Sequence, residues 1–163
     1  MENGKATRMA IIAAHGTLDM AYPPLILATA AAAMDMEVTI FFTFYGLEIL
    51  KKGKNEHLQV APLGNPAMPA VIGDVHVPNI VGVLPGMTAM ATSMMQDWMK
   101  RAHVASIPEL LDAARELGVK LVACQMTMDA LGVKKEELIE GLEIGGAATF
   151  IEFASENAIT LAF

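Results

Sequence analysis

Short apolar runs alternate with helix-forming stretches along most of the chain. Apolar, β-branched and aromatic residues fill the short runs, which is typical of buried strands. Strands are therefore predicted at Arg8 to Ala14, Val38 to Phe44, Val119 to Ala123 and Ala158 to Phe163. A fifth short run, Ile80 to Leu84, ends at a Pro-Gly pair and predicts one more strand.

The segments between these runs read as helices. Ser106 and Glu109 form a capping box, and the apolar face that follows stops at Gly118, so a helix is predicted there. A second helix is predicted at Leu25 to Met34. We expect this helix to accommodate the preceding Pro23 and Pro24 only near its first turn, because proline lacks an N–H. Further helices are predicted at Leu47 to Lys52, Met87 to Arg101, Thr127 to Gly132, Lys134 to Ile139 and Ala147 to Ala154, with a turn at Gly145 and Gly146.

Strands that alternate with helices favour a parallel sheet joined by right-handed crossovers and covered on both faces. The fold class predicted is therefore α/β. The 163 residues fit one domain, residues 1–163, with a long surface excursion over residues 53–80 that is rich in proline and glycine. In the helix Met87 to Arg101, the four-residue spacing of Met90, Met94 and Trp98 predicts a core or subunit contact.

The composition argues against several classes of function. The net charge of −7 argues against nucleic-acid binding, which needs clustered basic residues. The apolar fraction of 54% points to a sheet buried on both faces, to subunit interfaces, or to both. The longest apolar tract, Met20 to Tyr45, is interrupted by prolines and acidic residues, so no stable membrane span is expected. A single cysteine excludes an intramolecular disulfide, and the cytoplasm is the expected location.

That cysteine, Cys124, is the main candidate for chemistry. It stands where a buried strand ends and a helix begins, which is the edge of a parallel sheet where ligand sites form. Backbone N–H groups of the following helix would stabilise a thiolate there, but a buried, inert cysteine fits the position equally well. His15 and Gly16 end the first strand at the same edge, and Asp129 follows Cys124 closely, although a solvated histidine and a helix-capping aspartate are the simpler roles.

Other chemistries lack their residue patterns. The four histidines show no metal-ligand spacing, and the segment Gly82 to Gly86 lacks the lysine and hydroxyl residue of a phosphate-binding loop. We therefore expect neither a metal nor a cofactor.

The segment ACQMTMDALG, Ala123 to Gly132, resembles the cysteine motif of the DsrE/DsrF-like family, in its subgroup of stand-alone DsrE-type proteins. Similar segments recur in the same order at Glu37 to Leu47, Leu84 to Met87, Ser106 to Gly118 and Gly145 to Phe150. The first loop departs from the family, because His15 and Thr17 stand where a small and an acidic residue are usual.

The resemblance implies a three-layer α/β/α fold with a mostly parallel sheet of about five strands, and a cytoplasmic homo-oligomer, a trimer or a multiple of one. It also implies a sulfur carrier or sulfurtransferase that relays sulfane sulfur as a persulfide on Cys124, between rhodanese-like or TusA-like donor and acceptor proteins. Gln125, Thr127 and Asp129 of the motif, with His15 and Gly16 of the first loop, are the candidate supporting residues. A binding module with a structural cysteine and a redox sensor with a regulatory one are the alternatives.

Overall fold

The computed structural model describes residues 7–61 and 84–163. In this part of the chain, five strands form one sheet in which every neighbouring pair is parallel, in the order β4-β3-β2-β1-β5. The strands are β1 Arg8–Ala13, β2 Glu37–Phe42, β3 Lys120–Cys124, β4 Glu143–Gly145 and β5 Ala158–Ala162. Residues 80–83 of the predicted fifth strand, and residues 62–80 of the predicted excursion, lie outside the described ranges.

Helices lie on both faces of this sheet, so the predicted α/β/α layering is confirmed. One face, which includes Ile11, Ile40 and Leu121, packs in the main core with α1 and α3. The opposite face, with Ala10 and Val122, is covered by α5. The α-helices are α1 Leu18–Ala33, α2 Met87–Arg101, α3 Ile107–Glu116, α4 Gln125–Leu131 and α5 Ala147–Ala154, and the 3-10 helices are Phe44–Leu50 and Lys135–Glu137. None of the described helices is long and apolar enough to cross a membrane.

The parallel register brings the carboxyl ends of four strands to one edge. Ala13 lies beside Phe42, Phe42 beside Ala123, and Cys124 beside Gly145. Strand β2 lies between β1 and β3. The loop after β2 therefore lies next to Cys124, and the loop after β1 lies one strand farther away. The predicted position of Cys124 at the end of a strand therefore holds, and strand order decides which side chains can reach it.

The predicted capping box of α3 is confirmed. The Ser106 amide donates a hydrogen bond to Glu109 Oε2 at 2.7 Å, and the Glu109 amide donates to Ser106 Oγ at 3.5 Å. The apolar face that follows buries Ile107, Leu111 and Ala114 in the main core.

The position predicted for the proline pair is wrong. Helix α1 begins at Leu18, so Pro23 and Pro24 lie inside the helix, beyond its first turn. Each proline removes one intrahelical hydrogen bond, at a cost of about 3 kcal/mol. Burial on both sides of the pair offsets this cost, because Ala21, Tyr22 and Leu25 are all buried in the core. Tertiary packing has overridden local propensity here.

Several assignments also differ from the predictions. Gly145 ends strand β4 rather than forming a turn with Gly146, and the segments predicted as helices near residues 47–52 and 134–139 are 3-10 helices. Strand β4 has no apolar run of its own and forms only through pairing with β3. Helix α4 begins at Gln125 rather than Thr127, directly after the last residue of β3.

The described beginning of the predicted excursion packs against the helices. The Leu18 amide donates to the Gln59 carbonyl at 2.9 Å, and the Val60 amide donates to Thr92 Oγ1 at 3.1 Å. Leu58 is buried in the main core. Residues 58–60 are therefore tied to α1 and α2.

Candidate active site

Cys124 occupies the junction between strand β3 and helix α4. It is the last residue of the strand and the N-cap residue of the helix, with only 3% of its surface exposed. Because no residue separates the two elements, the first amides of α4 lie directly beside the thiol.

Polar groups surround the buried sulfur. Burial by itself raises the pKa of the Cys124 thiol, but hydrogen bonds outweigh it and hold the pKa below its ordinary value. The donors are the hydroxyl and the amide of Thr127, the hydroxyl of Thr43 and the amide of Met126. Such donors stabilise the thiolate, which is the nucleophilic form of cysteine. The site is therefore built to hold a negative charge on sulfur.

Thr43 and Thr127 also contact each other. Their Oγ1 atoms lie 3.0 Å apart, and the amide of Phe44 donates to Thr127 Oγ1 at 3.2 Å. Thr127 is 2% exposed, so these neighbours rather than bulk water satisfy its hydroxyl. The loop after β2 and the start of α4 thus form one hydrogen-bonded unit around the thiol.

Two glycines hold the loops after β1 and β2 against each other. A Cβ atom on Gly46 would stand 2.0 Å from the Ala13 carbonyl oxygen, and one on Gly16 would stand 2.2 Å from that of Tyr45. The Gly46 amide donates to the Ala14 carbonyl at 3.1 Å. Only glycine permits this approach, which fixes the loop that carries Thr43.

The structure separates the predicted supporting residues into two groups. Thr127 contacts the thiol, whereas Gln125 and Asp129 form an exposed pair in which Gln125 Nε2 donates to Asp129 Oδ1 at 2.8 Å. His15 is exposed at the end of β1, two strands from β3 and therefore about 10 Å across the sheet. Gly16 lies in the loop after β1 and packs against Tyr45.

Thr43 is a site group that sequence reasoning missed, whereas the Met126 amide is one of the backbone N–H groups expected from the helix after Cys124. Thr43 directly follows strand β2, the neighbour of β3. A hydroxyl at the end of an adjacent parallel strand is a usable signal, but only after the strand order is known. In the described ranges, no group of three His, Cys, Asp or Glu side chains is arranged to hold a metal ion.

A small apolar cluster covers the thiol on the α5 face. It consists of Ala10, Phe41, Val122, Cys124 and Phe150, and the rings of Phe41 and Phe150 lie 5.6 Å apart. Phe150 is the one residue that α5 buries. The short helix α5 therefore limits access to Cys124 through a single large side chain.

Truncating this side chain should expose the thiol. We expect Phe150→Ala to raise the rate of Cys124 alkylation in the native protein about tenfold. This corresponds to a free energy of exposing the thiol that is lower by roughly 1.4 kcal/mol. The measurement is the rate of iodoacetamide labelling followed by mass spectrometry. The substitution also destabilises the fold by about 3 to 5 kcal/mol, since it opens a cavity.

The matched control is Leu111→Ala, which removes a core residue of α3 on the opposite face of the sheet. It should destabilise the fold by about 2 to 5 kcal/mol without a comparable gain in labelling rate. Equal labelling gains in both variants would mean that Cys124 reacts through global unfolding and that α5 does not control access.

Comparisons with known proteins show the family of the chain. The model of the DsrE/DsrF/DrsH-like family matches residues 5–162. The chain belongs to this family. Its membership confirms the resemblance that the cysteine motif and the accompanying segments indicated.

Two curated relatives match the chain over nearly its full length. The sulfur carrier protein DsrE2 of Allochromatium vinosum is 53% identical over 155 residues, which cover 94% of this chain and 96% of that protein. The uncharacterized protein YrkE of Bacillus subtilis is 34% identical over 157 residues, covering 94% of this chain and 95% of that protein.

Among solved structures, a protein of unknown function from Methanobacterium thermoautotrophicum is similar in fold, with a TM-score of 0.54. The likeness covers 96% of this chain and 98% of that one, at 10% identity.

Proposed function

We propose that the protein is a sulfur carrier that accepts sulfane sulfur as a persulfide on Cys124 and passes it to a partner thiol. The observation that carries the proposal is the buried sulfur whose hydrogen-bond donors favour the thiolate. The 53% identity to a protein named as a sulfur carrier supports it.

The chemistry needs no oxidant. The Cys124 thiolate attacks the outer sulfur of a donor persulfide, a new S–S bond forms at Sγ, and the donor's S–S bond breaks. The donor leaves as a thiolate that takes up a proton. In the second step an acceptor thiolate attacks the same outer sulfur, and Cys124 leaves as its own thiolate. The two exchanges conserve electrons, because one sulfane sulfur moves between thiols.

The hydrogen bonds serve both steps. They raise the thiolate fraction for the attack, and they stabilise the same thiolate when it becomes the leaving group. Intrinsic nucleophilicity falls as the pKa of a thiol falls, so a modest shift serves a two-way carrier better than a large one. Burial raises the pKa of the Cys124 thiol and so limits how far the hydrogen bonds lower it.

The surroundings of the thiol fit protein partners. Phe44, Tyr45 and Met126 are all more than half exposed at this edge of the sheet. Exposed apolar side chains beside a buried reactive group favour a macromolecular surface that docks before exchange. We infer that the donors and acceptors are proteins of the rhodanese-like or TusA-like kind, as the family resemblance implies, and that exchange takes place in the cytoplasm.

The test is the mass of the intact protein after incubation with a persulfide-bearing donor, such as a rhodanese charged with thiosulfate. We expect a gain of one sulfur atom that is lost on addition of an acceptor thiol. No gain, together with a Cys124 that resists alkylation until the protein is unfolded, would favour a binding module in which the cysteine is structural. A covalent dimer formed by mild oxidant would favour the redox sensor.

We also propose a homo-oligomer, with the trimer or its multiple taken from the family resemblance. Helix α2 leaves Met90 and Trp98 exposed, whereas Met95 and Met99 of the same helix pack against the core. Met90 and Trp98 of the predicted stripe thus lie outside the core, while Met94 is half-buried, and the exposed pair supports a subunit contact. Light scattering at micromolar protein should give a mass above that of one chain. A monomer would contradict the proposal.

A further inference from the structure

The two edges of the sheet are protected to different degrees. Strand β4 has only three residues and one of them, Glu143, is charged. Strand β5 has five residues, Ala-Ile-Thr-Leu-Ala, none of which is charged or a proline. Short length, charge and proline are features that keep an edge strand from pairing with another chain. Among the described strands, β5 is therefore the edge that is open to such pairing.

The hydrogen bonds of β5 show which of its backbone groups point away from the sheet. The Phe163 amide donates to the Ile12 carbonyl at 2.8 Å, and the Ala14 amide donates to the Phe163 carbonyl at 2.7 Å. Because a strand repeats every two residues, Ile159 and Leu161 face β1 in the same way. The N–H and C=O groups of the alternate residues point outward. These residues are Ala158, Thr160 and Ala162.

The side chains of β5 also leave apolar surface uncovered. Ile159 is 43% exposed, and Thr160 and Ala162 are exposed beside it. Leu161 is only partly buried against the main core. A second strand beside β5 would cover these side chains and pair the outward backbone groups at the same time.

The sequence of β5 is nearly the same in both directions about Thr160. When two copies pair antiparallel about a two-fold axis at this residue, Ile159 of one copy lies opposite Leu161 of the second copy. Ala158 lies opposite Ala162 in the same arrangement. The outward residues then form hydrogen-bonded pairs, which exchange about six hydrogen bonds in all.

Charge favours this edge as a contact between copies. Each chain has a net charge of −7, so two copies repel each other wherever their acidic residues meet. Strand β5 has no charge, and Glu156 lies before the strand begins. Antiparallel pairing places the two copies of Glu156 at opposite ends of the contact, where they do not face each other.

We propose that β5 is a self-association surface, at which a second copy of this chain pairs antiparallel with Ala158–Ala162 and joins two five-stranded sheets into one. The partner is the same chain because the strand complements itself in side chains and in charge. Cys124 lies on β3, three strands from this edge and therefore about 14 Å across the sheet, so both thiols stay clear of the contact. The contact proposed for Met90 and Trp98 is on a different element, helix α2.

Cross-linking of single cysteines tests the surface. Each variant also carries Cys124→Ser, so the new cysteine is the only thiol. We expect Thr160→Cys to form a covalent dimer under mild oxidant. The two copies of residue 160 would lie about 5.5 Å apart at their Cα atoms, within the roughly 4.4 to 6.8 Å that a disulfide spans. The readout is the fraction of dimer on a non-reducing gel, and no dimer would overturn the proposal.

The matched controls, Ile159→Cys and Leu161→Cys, test the register. Alone, each places its two thiols at diagonal positions about 7 to 8 Å apart, beyond the span of a disulfide, so neither should cross-link. When the two variants are mixed, they should cross-link with each other, because residues 159 and 161 would lie directly opposite at about 4.5 Å. Equal cross-linking of every single variant would indicate random collision and contradict the paired arrangement.

Light scattering tests whether this pairing holds the native particle together. Thr160→Glu places two carboxylates opposite each other at the two-fold axis and should halve the mass of the particle. Thr149→Glu adds the same charge at an exposed position of α5 and should leave the mass at that of the wild type. If Thr160→Glu keeps the wild-type mass, the particle is held by other contacts or β5 pairs within its own chain, and the proposal is wrong. Neither experiment uses a sulfur donor, so its result is independent of sulfur loading.

Discussion

Cys124→Ser is expected to abolish sulfur loading completely. The chain has one cysteine, so no second thiol can accept the sulfur in its place. Serine fills the same position and its oxygen can accept the hydrogen bonds that reach Sγ, but a hydroxyl forms no persulfide. The measurement is the intact mass after incubation with the charged donor, which should stay at that of the unmodified variant.

Two controls separate loss of chemistry from loss of structure. The thermal unfolding midpoint of Cys124→Ser should lie near that of the wild type, since the substitution leaves the packing volume of a buried site almost unchanged. Wild-type protein alkylated at Cys124 before it meets the donor should also fail to load. A variant that still gains one sulfur atom would place the acceptor on another group and refute the assignment.

Much of the fold could be predicted because local signals and the final structure agree. The apolar runs of β1, β2 and β3 are buried strands, whereas β5 is a strand at the exposed edge of the sheet. The capping box of α3 marks the start of that helix within one residue. The alternation of strands and helices is enough to predict a parallel sheet with helices on both faces. These features depend on residues that are near one another in the chain.

The features that were missed depend on distant partners. Strand β4 exists because Glu143 to Gly145 pair with β3, and its three residues form no apolar run that would predict a strand. Pro23 and Pro24 are tolerated inside α1 because of the tertiary burial around them. Neither effect is visible in a local pattern.

The candidate site shows the same division. Cys124 and Thr127 were found because they lie in one short motif at the end of a strand. Thr43 was missed, and the distance of His15 from Cys124 was left open between contact and a solvated loop, because both depend on the strand order. With β2 between β1 and β3, it is Thr43 after β2 that reaches the thiol.

Gly46→Ala is expected to destabilise the fold strongly. The new Cβ would stand 2.0 Å from the carbonyl oxygen and 2.8 Å from the carbonyl carbon of Ala13, both backbone atoms at the end of a central strand. Backbone in a paired sheet cannot yield as the end of a side chain can. We therefore expect a loss of about 3 kcal/mol, at the upper end of overpacking. Denaturant unfolding measures it.

The matched control is Gly146→Ala, at a glycine where an added Cβ meets nothing within 4 Å. Gly146 is the N-cap residue of α5, so the cost there should stay below about 1 kcal/mol. Because Gly46 also fixes the loop that carries Thr43, Gly46→Ala should raise the pKa of the Cys124 thiol in whatever fraction still folds. Equal stabilities for the two variants would mean that the loops after β1 and β2 can separate freely, and the close approach that positions Thr43 would then lose its role.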